Sequence, residues 1–137
     1  MLNLFPVKIY HIAVLADKYQ MVERFAMVMP YFFRARTMEP VAAWRMMVAA
    51  YLLKSENGFG YFSSGFIGNK VVSLLKYASL ISDRVLALKL CLAIEEFRNR
   101  GKTNKGLCLY CFNKGEESGL GFVTKDPGCK FGSHYPV

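Results

Sequence analysis

The chain reads as a mainly α protein: a bundle of four to five helices followed by an irregular, Gly/Cys-rich C-terminal tail. Three observations carry that expectation. Apolar residues recur at three- and four-residue steps through most of residues 1–101. Prolines and small polar residues punctuate these runs where helices start and stop. Beyond Gly101 the composition shifts, with Gly106, Gly115, Gly119, Gly121, Gly128 and Gly132 crowding a segment that also carries Cys108, Cys111 and Cys129. The expected division is therefore 1–101 as the bundle and 102–137 as the tail, within a chain of single-domain length.

The first helix is expected from Ile9 to Met29, with Ile12, Leu15, Ala16, Tyr19, Val22, Ala26 and Met29 inward and Asp17, Lys18, Glu23 and Arg24 between them. Pro30 lacks a backbone donor and biases Met29 away from helical dihedrals, so the helix should stop there. Tyr31 to Arg36 follows as an aromatic and basic connector. A second helix is signalled by Thr37 as a cap, by Pro40 in the first turn and by strong helix formers from Val41 to Lys54. Trp44, Met47, Val48, Tyr51 and Leu52 should form its buried face. Residues Asn57 to Asn69 combine four glycines with Phe59, Tyr61, Phe62 and Phe66, which predicts a frayed or irregular helix whose aromatics pack inward.

Val71 to Ile81 fits a short helix or a strand. Ser82 and Asp83 then cap the clearest helix of the second half, with Leu86, Leu90, Ala93, Ile94 and Phe97 on one face and Arg84, Lys89, Glu95, Glu96 and Arg98 on the other. Asn99, Arg100 and Gly101 should end it. In the tail, short strands around Leu107 to Phe112 and Leu120 to Val123 are expected, not regular helix.

Composition narrows the function classes. Hydrophobic residues make up 53% of the chain and charged residues 20%, which excludes disorder for most of it. The mean hydropathy is +0.20, yet the longest uncharged stretch, Asn57 to Asn69, falls short of the roughly 20 apolar residues that a bilayer crossing needs. No transmembrane insertion is expected. The N-terminus shows no signal-peptide pattern, and four cysteines are too few for a disulfide scaffold, so a reducing intracellular compartment, cytoplasmic or nuclear, is expected. A net charge of +8 invites nucleic acid, anionic lipid or an acidic protein surface as partner.

The tail carries the sharpest chemical pattern. Cys108 and Cys111 form a C-x2-C pair, seventeen residues separate Cys111 from Cys129, and four more separate Cys129 from His134. Thiolates and imidazole can close a tetrahedral shell about 2.3 Å from one zinc ion. The spacing fits one structural Zn site on Cys108, Cys111, Cys129 and His134, the alternative being a metal-free tail in which the thiols are small buried groups. Just upstream, Arg98, Arg100, Lys102 and Lys105 could contact phosphates, with Tyr110 and Phe112 stacking on bases. The helix macrodipole accounts for Arg98 and Arg100 equally well.

No catalytic signature stands out. The glycines between Gly58 and Gly65 lack the order of a phosphate loop, since Phe66 and Ile67 stand where Lys and Ser or Thr belong. His11 and His134 are the imidazoles available, and neither lies in a nucleophile motif. The pairs Glu95–Glu96 and Glu116–Glu117 are adjacent in sequence, which points their carboxylates apart.

The segment Ile9-Tyr-His-Ile-Ala-Val-Leu-Ala-Asp-Lys-Tyr-Gln-Met21 resembles a segment of fungal BTB/POZ-domain proteins, in which an apolar stretch runs into Ala-Asp-Lys-Tyr. The Trp-bearing run at Trp44 to Leu53, the aromatic run to Ile67 and the Ser-Asp-Arg start at Ser82 follow in the same order. The resemblance implies the helical region after the BTB core, which supports protein–protein contacts and, in some members, cullin-type ubiquitin ligases. The BTB core itself would lie upstream of Met1, so dimerisation and cullin docking are not carried over.

A non-enzymatic protein-interaction module is the leading expectation. Tyr31, Phe32, Phe33, Arg34 and Arg36 are its candidate contacts, because interfaces favour aromatics and Arg. The alternative occupation for those aromatics is to plug the bundle end. A small basic zinc protein that binds RNA or DNA, as a ribonucleoprotein component or viral accessory factor, is the second expectation.

Overall fold

A computed structural model describes residues 6–34, 39–69, 71–100, 106–118, 122 and 129. Among these the chain is mainly helical and contains no strand. The elements are α1 (Pro6–Lys18), a 3-10 turn (Val22–Phe25), α2 (Met29–Phe32), α3 (Pro40–Leu52), α4 (Glu56–Gly68), α5 (Leu75–Ala78), α6 (Arg84–Asn99) and α7 (Leu109–Ser118).

The long first helix expected from Ile9 to Met29 is cut at Lys18. Gln20 takes a left-handed backbone with φ 55°. The Met21 amide then donates to the Ala16 carbonyl at 2.7 Å and the Gln20 amide to Asp17 at 3.2 Å. This is a Schellman ending, usually signalled by glycine at the left-handed position. Because Gln stands there, the stop leaves no mark in the sequence. The buried stripe is also displaced from the expected one: Ile9, Ala13 and Ala16 face inward, whereas Leu15 and Tyr19 are exposed. Small Ala13 and Ala16 let α1 lie close against α3.

The same device joins α3 to α4. Lys54 has φ 60°, and the Ser55 amide returns to Ala50 at 2.8 Å. Ser55 then caps the next helix, its Oγ accepting the Gly58 amide at 3.1 Å. At the other end of α3 the cap is Glu39, whose carboxylate accepts the Val41 and Ala42 amides at 3.0 and 2.7 Å. Thr37, the expected cap, lies outside the described residues. Trp44, Met46, Met47, Val48, Ala49 and Ala50 are all buried, so α3 is covered on more than one side and runs through the centre of the core.

The segment expected to be frayed forms the regular helix α4, Glu56–Gly68, because packing offsets the entropic cost of its glycines. Phe59, Phe62, Phe66 and Ile67 are buried along it. Phe66 meets the edge of Trp44 at 5.1 Å, and Tyr77 of α5 lies over Trp44 at 5.9 Å, tying α3, α4 and α5 together. The α6 helix begins where expected, with Asp83 accepting the Leu86 amide at 3.1 Å. Its face of Leu86, Leu90, Ala93, Ile94 and Phe97 is buried.

Arg98 departs from its expected place on the solvated face of α6, being only 6% exposed. Its guanidinium Nε and Nη2 donate to the Phe66 carbonyl at 2.9 and 2.6 Å, and Nη2 also reaches the Asn69 carbonyl at 2.9 Å. Nη1 binds Glu95 at 2.8 Å. Arg98 thus caps the C-terminus of α4 from a neighbouring helix, where carbonyls lack intrahelical partners and a cation is favoured by the dipole.

The start of the tail is part of the same core, for Leu107, Leu109 and Phe112 are buried in it. Residues 109–118 form α7, which overturns the expectation of a strand around Leu107 to Phe112. Of the second expected strand, Leu120, Gly121 and Val123 lie outside the described residues. Phe112 sits among Tyr51, Phe59 and Phe122 at 5.3–5.6 Å, an anchor that decides between helix and extended chain. Ahead of it, the chain crosses one stripe of α4 made by Glu56, Gly60 and Ser63. The Leu107 amide donates to Ser63 Oγ at 2.7 Å, and the Ser63 hydroxyl donates to the Gly60 carbonyl at 3.2 Å. The Leu109 amide donates to Glu56 at 3.0 Å. Gly106 passes so close that a Cβ there would fall on the Gly60 carbonyl.

Two substitutions of like chemistry should therefore act in opposite directions. At Gly65 an added Cβ meets nothing within 4 Å among the described residues, so Gly65→Ala should stabilise by about 0.5–1 kcal/mol through helix propensity. Gly106→Ala must displace the tail or α4 and should lower the melting temperature; equal effects of both substitutions would contradict this geometry. Arg98→Ala leaves the Phe66 and Asn69 carbonyls without their charged donor and should cost roughly 3 kcal/mol. Thermal unfolding followed by circular dichroism should show a drop of the order of 10 °C.

Candidate metal centre

Crossing α4 places Cys108 just before α7 and Cys111 within its first turn. The Phe112 amide closes that turn on the Cys108 carbonyl at 2.9 Å. A C-x2-C pair at a helix start presents both sulfurs near backbone N–H groups, where the dipole favours thiolate. Cys129 lies beside them. The Cys108 and Cys129 sulfurs are 3.8 Å apart, and all three sulfurs lie within 4.8 Å of one another.

These distances discriminate between chemistries. A disulfide requires sulfurs at about 2.05 Å, and the four cysteines are free thiols. Thiolates bound tetrahedrally to one ion at about 2.3 Å stand about 3.8 Å from each other, which is the Cys108–Cys129 separation. The trio therefore has the spacing and chemistry to hold a metal ion, with soft sulfur donors of the kind that zinc takes. Cys111 and Cys129 are buried and Cys108 is half-buried, so a bound ion would be largely shielded from water. Burial pushes the Cys108 thiol well above its ordinary range. The Cys111 backbone amide pulls it down, while the charge of Glu56 and the hydrogen bond to its carboxylate push it further up. A bound cation would offset this burial and negative charge, since coordination requires the deprotonated sulfur.

Glu56 is the residue that sequence reasoning missed. At the start of α4 its carboxylate accepts the Leu109 amide, which holds the start of α7, and its charge opposes loss of the Cys108 proton. No motif could have found it, because it lies fifty-three residues from Leu109 along the chain. The fourth cysteine, Cys91, stands apart on α6 with its thiol toward the Leu74 carbonyl. His134, the expected fourth ligand, lies outside the described residues.

The other candidate residues scatter. In the basic set, Arg98 is withdrawn into the core and committed to α4, which corrects its placement on a phosphate-binding surface. Arg100 is exposed, and Lys102 and Lys105 lie outside the described residues. In the aromatic set, Phe32 and Phe33 are buried rather than exposed: Phe32 packs near Phe25, and Phe33 against Phe62. Tyr31 and Arg34 remain on the surface, and Arg36 lies outside the described residues. His11 is exposed beside Tyr10. Among the described residues no helix is long and apolar enough to cross a membrane.

Comparison with known proteins returns no match from family models, curated proteins or solved structures.

Cobalt(II) added to the metal-free protein should give a sulfur-to-metal charge-transfer band, displaced by one equivalent of zinc. Cys108→Ser, Cys111→Ser and Cys129→Ser should each weaken metal binding by more than the roughly 10-fold that the loss of a supporting residue around a metal site typically costs. Binding should weaken as pH falls, because protons compete for the sulfurs. Cys91→Ser should bind normally; no charge-transfer band, or an equal loss in Cys91→Ser, would contradict the assignment.

Proposed function

We propose that this chain is a non-enzymatic protein-interaction module whose C-terminal segment is held to the bundle by one structural zinc ion. The observation that carries the interaction reading is the corner built by the 3-10 turn and α2. Met27, Val28 and Tyr31 are exposed there together, Met27 at 85% and Tyr31 at 63%. The Arg34 guanidinium lies 5.1 Å over the Tyr31 ring. Beneath them, buried Phe32 and Phe33 fix the backbone, so the exposed side chains project from a base that needs no ordering when a partner arrives. Tyr, Met and Arg are the residues enriched in protein interfaces, and an aromatic stacked under a guanidinium is a compact anchor. The likeness of Ile9–Met21 to the region after the BTB core points the same way.

Zinc has a structural part in this reading. Cys108, Cys111 and Cys129 would be three ligands and His134 the fourth, giving a closed shell with no position for substrate. The ion would lock the tail against α4 and keep α7 docked. A nucleic-acid role has less support, because Arg98 spends its donors inside the fold.

A photo-crosslinking side chain at position 31, compared with one at exposed Val71, tests the interaction reading. Position 31 should yield a defined protein adduct, lost on Arg34→Glu while helix content is unchanged. Equal labelling from both positions, or retention on single-stranded nucleic acid that weakens steeply with salt, would overturn it.

A further inference from the structure

The outer face of α6 has an apolar stripe that the core does not use. Val85, Leu88 and Leu92, spaced i, i+3 and i+7, are 66%, 60% and 50% exposed. Such spacing aligns them along one side of the helix, opposite the buried Leu90, Ala93, Ile94 and Phe97. Leu75 of α5, also exposed, shares a shallow cleft with Leu88, and the same cleft is bordered by Arg84, Cys91 and Glu95. Arg84, Leu88, Cys91 and Glu95 follow at i, i+4, i+7 and i+11, so they form one edge of the stripe, with a cation at its start and an anion at its end.

That order of charges is self-complementary in one arrangement only. Two copies of α6 packed antiparallel about a two-fold axis near Leu90 bring Arg84 of each copy opposite Glu95 of the other, and Leu88 opposite Cys91 and Leu92. Both copies then present the same patch, as an isologous interface requires. Parallel packing would set Arg84 against Arg84 and Glu95 against Glu95, which repels. Glu95 already accepts Arg98 through Oε1 at 2.8 Å, but a carboxylate has capacity for a second donor through its other oxygen. The contact spans the roughly 16 Å between the charged ends, with Leu75 widening it on the α5 side.

We infer that α6 is a self-association surface, and that its occupant is a second copy of this chain in an antiparallel helix pair. The area is small for a protein interface, so the dimer is of micromolar affinity and responds to concentration. It uses neither the Tyr31–Arg34 corner nor the thiol cluster, and it stands or falls independently of both.

Sedimentation velocity on the whole chain, over about 5 to 500 µM, brackets that affinity. The wild type should pass from monomer to dimer. Leu88→Glu, an exposed site whose substitution leaves helix content unchanged by circular dichroism, should stay monomeric, as should Arg84→Glu alone and Glu95→Arg alone. An equimolar mixture of Arg84→Glu and Glu95→Arg chains should regain the dimer, because each then meets its opposite charge. A wild type that is monomeric throughout, or a dimer that survives in Leu88→Glu, overturns the surface. A mixture that remains monomeric while the wild type dimerises overturns the antiparallel pairing.

Discussion

Passage of the tail across α4 at Gly106 and Leu107 is the constraint on which the rest of the molecule depends. Backbone can approach backbone this closely only without a side chain between them, and Gly106 supplies that gap. Once there, the Leu107 amide has no water and needs an acceptor, which Ser63 provides from a wholly buried position. Two turns earlier on α4, Glu56 does the same for Leu109. A helix poor in intrinsic propensity is thus gripped along one stripe by the tail and at its C-terminus by Arg98. Those contacts, with the aromatic packing of Phe59, Phe62 and Phe66, explain why a glycine-rich segment is helical at all.

The thiol cluster follows from the same crossing. Cys108 and Cys111 lie at a helix start anchored by Phe112, which is buried against Tyr51 and Phe59. Glu56 lies at the same junction, its carboxylate accepting the Leu109 amide and its charge raising the Cys108 thiol. An ion held by the assembled trio would stabilise the docked tail, because an undocked tail would disperse the three sulfurs.

Periodicity and capping made much of this legible. Asp83 with its apolar face on α6, Pro40 at the start of α3 and the inward Phe59, Phe62 and Phe66 of α4 all obey local rules that a single sequence displays, whereas Tyr61, expected with them, is exposed. The C-x2-C pair marked the cluster, and Cys129 joins it in space. What escaped was set by tertiary contact. Gln20 and Lys54 adopt left-handed backbone without the glycine that would announce it, so the end of α1 was hidden. Arg98 reads as a solvated cation until the α4 carbonyls it serves, some thirty positions away, are placed beside it. Phe32 and Phe33 differ from Tyr31 only in which way a short helix turns them.

Hydrogen exchange at the Leu107 and Leu109 amides tests most directly whether tail and bundle are one cooperative unit. Both are bonded to α4 side chains, so with zinc present they should be protected to the same free energy as core amides of α4 and α6. Exchange of these two amides at the rate of an open chain, while α4 and α6 stay protected, would contradict the account.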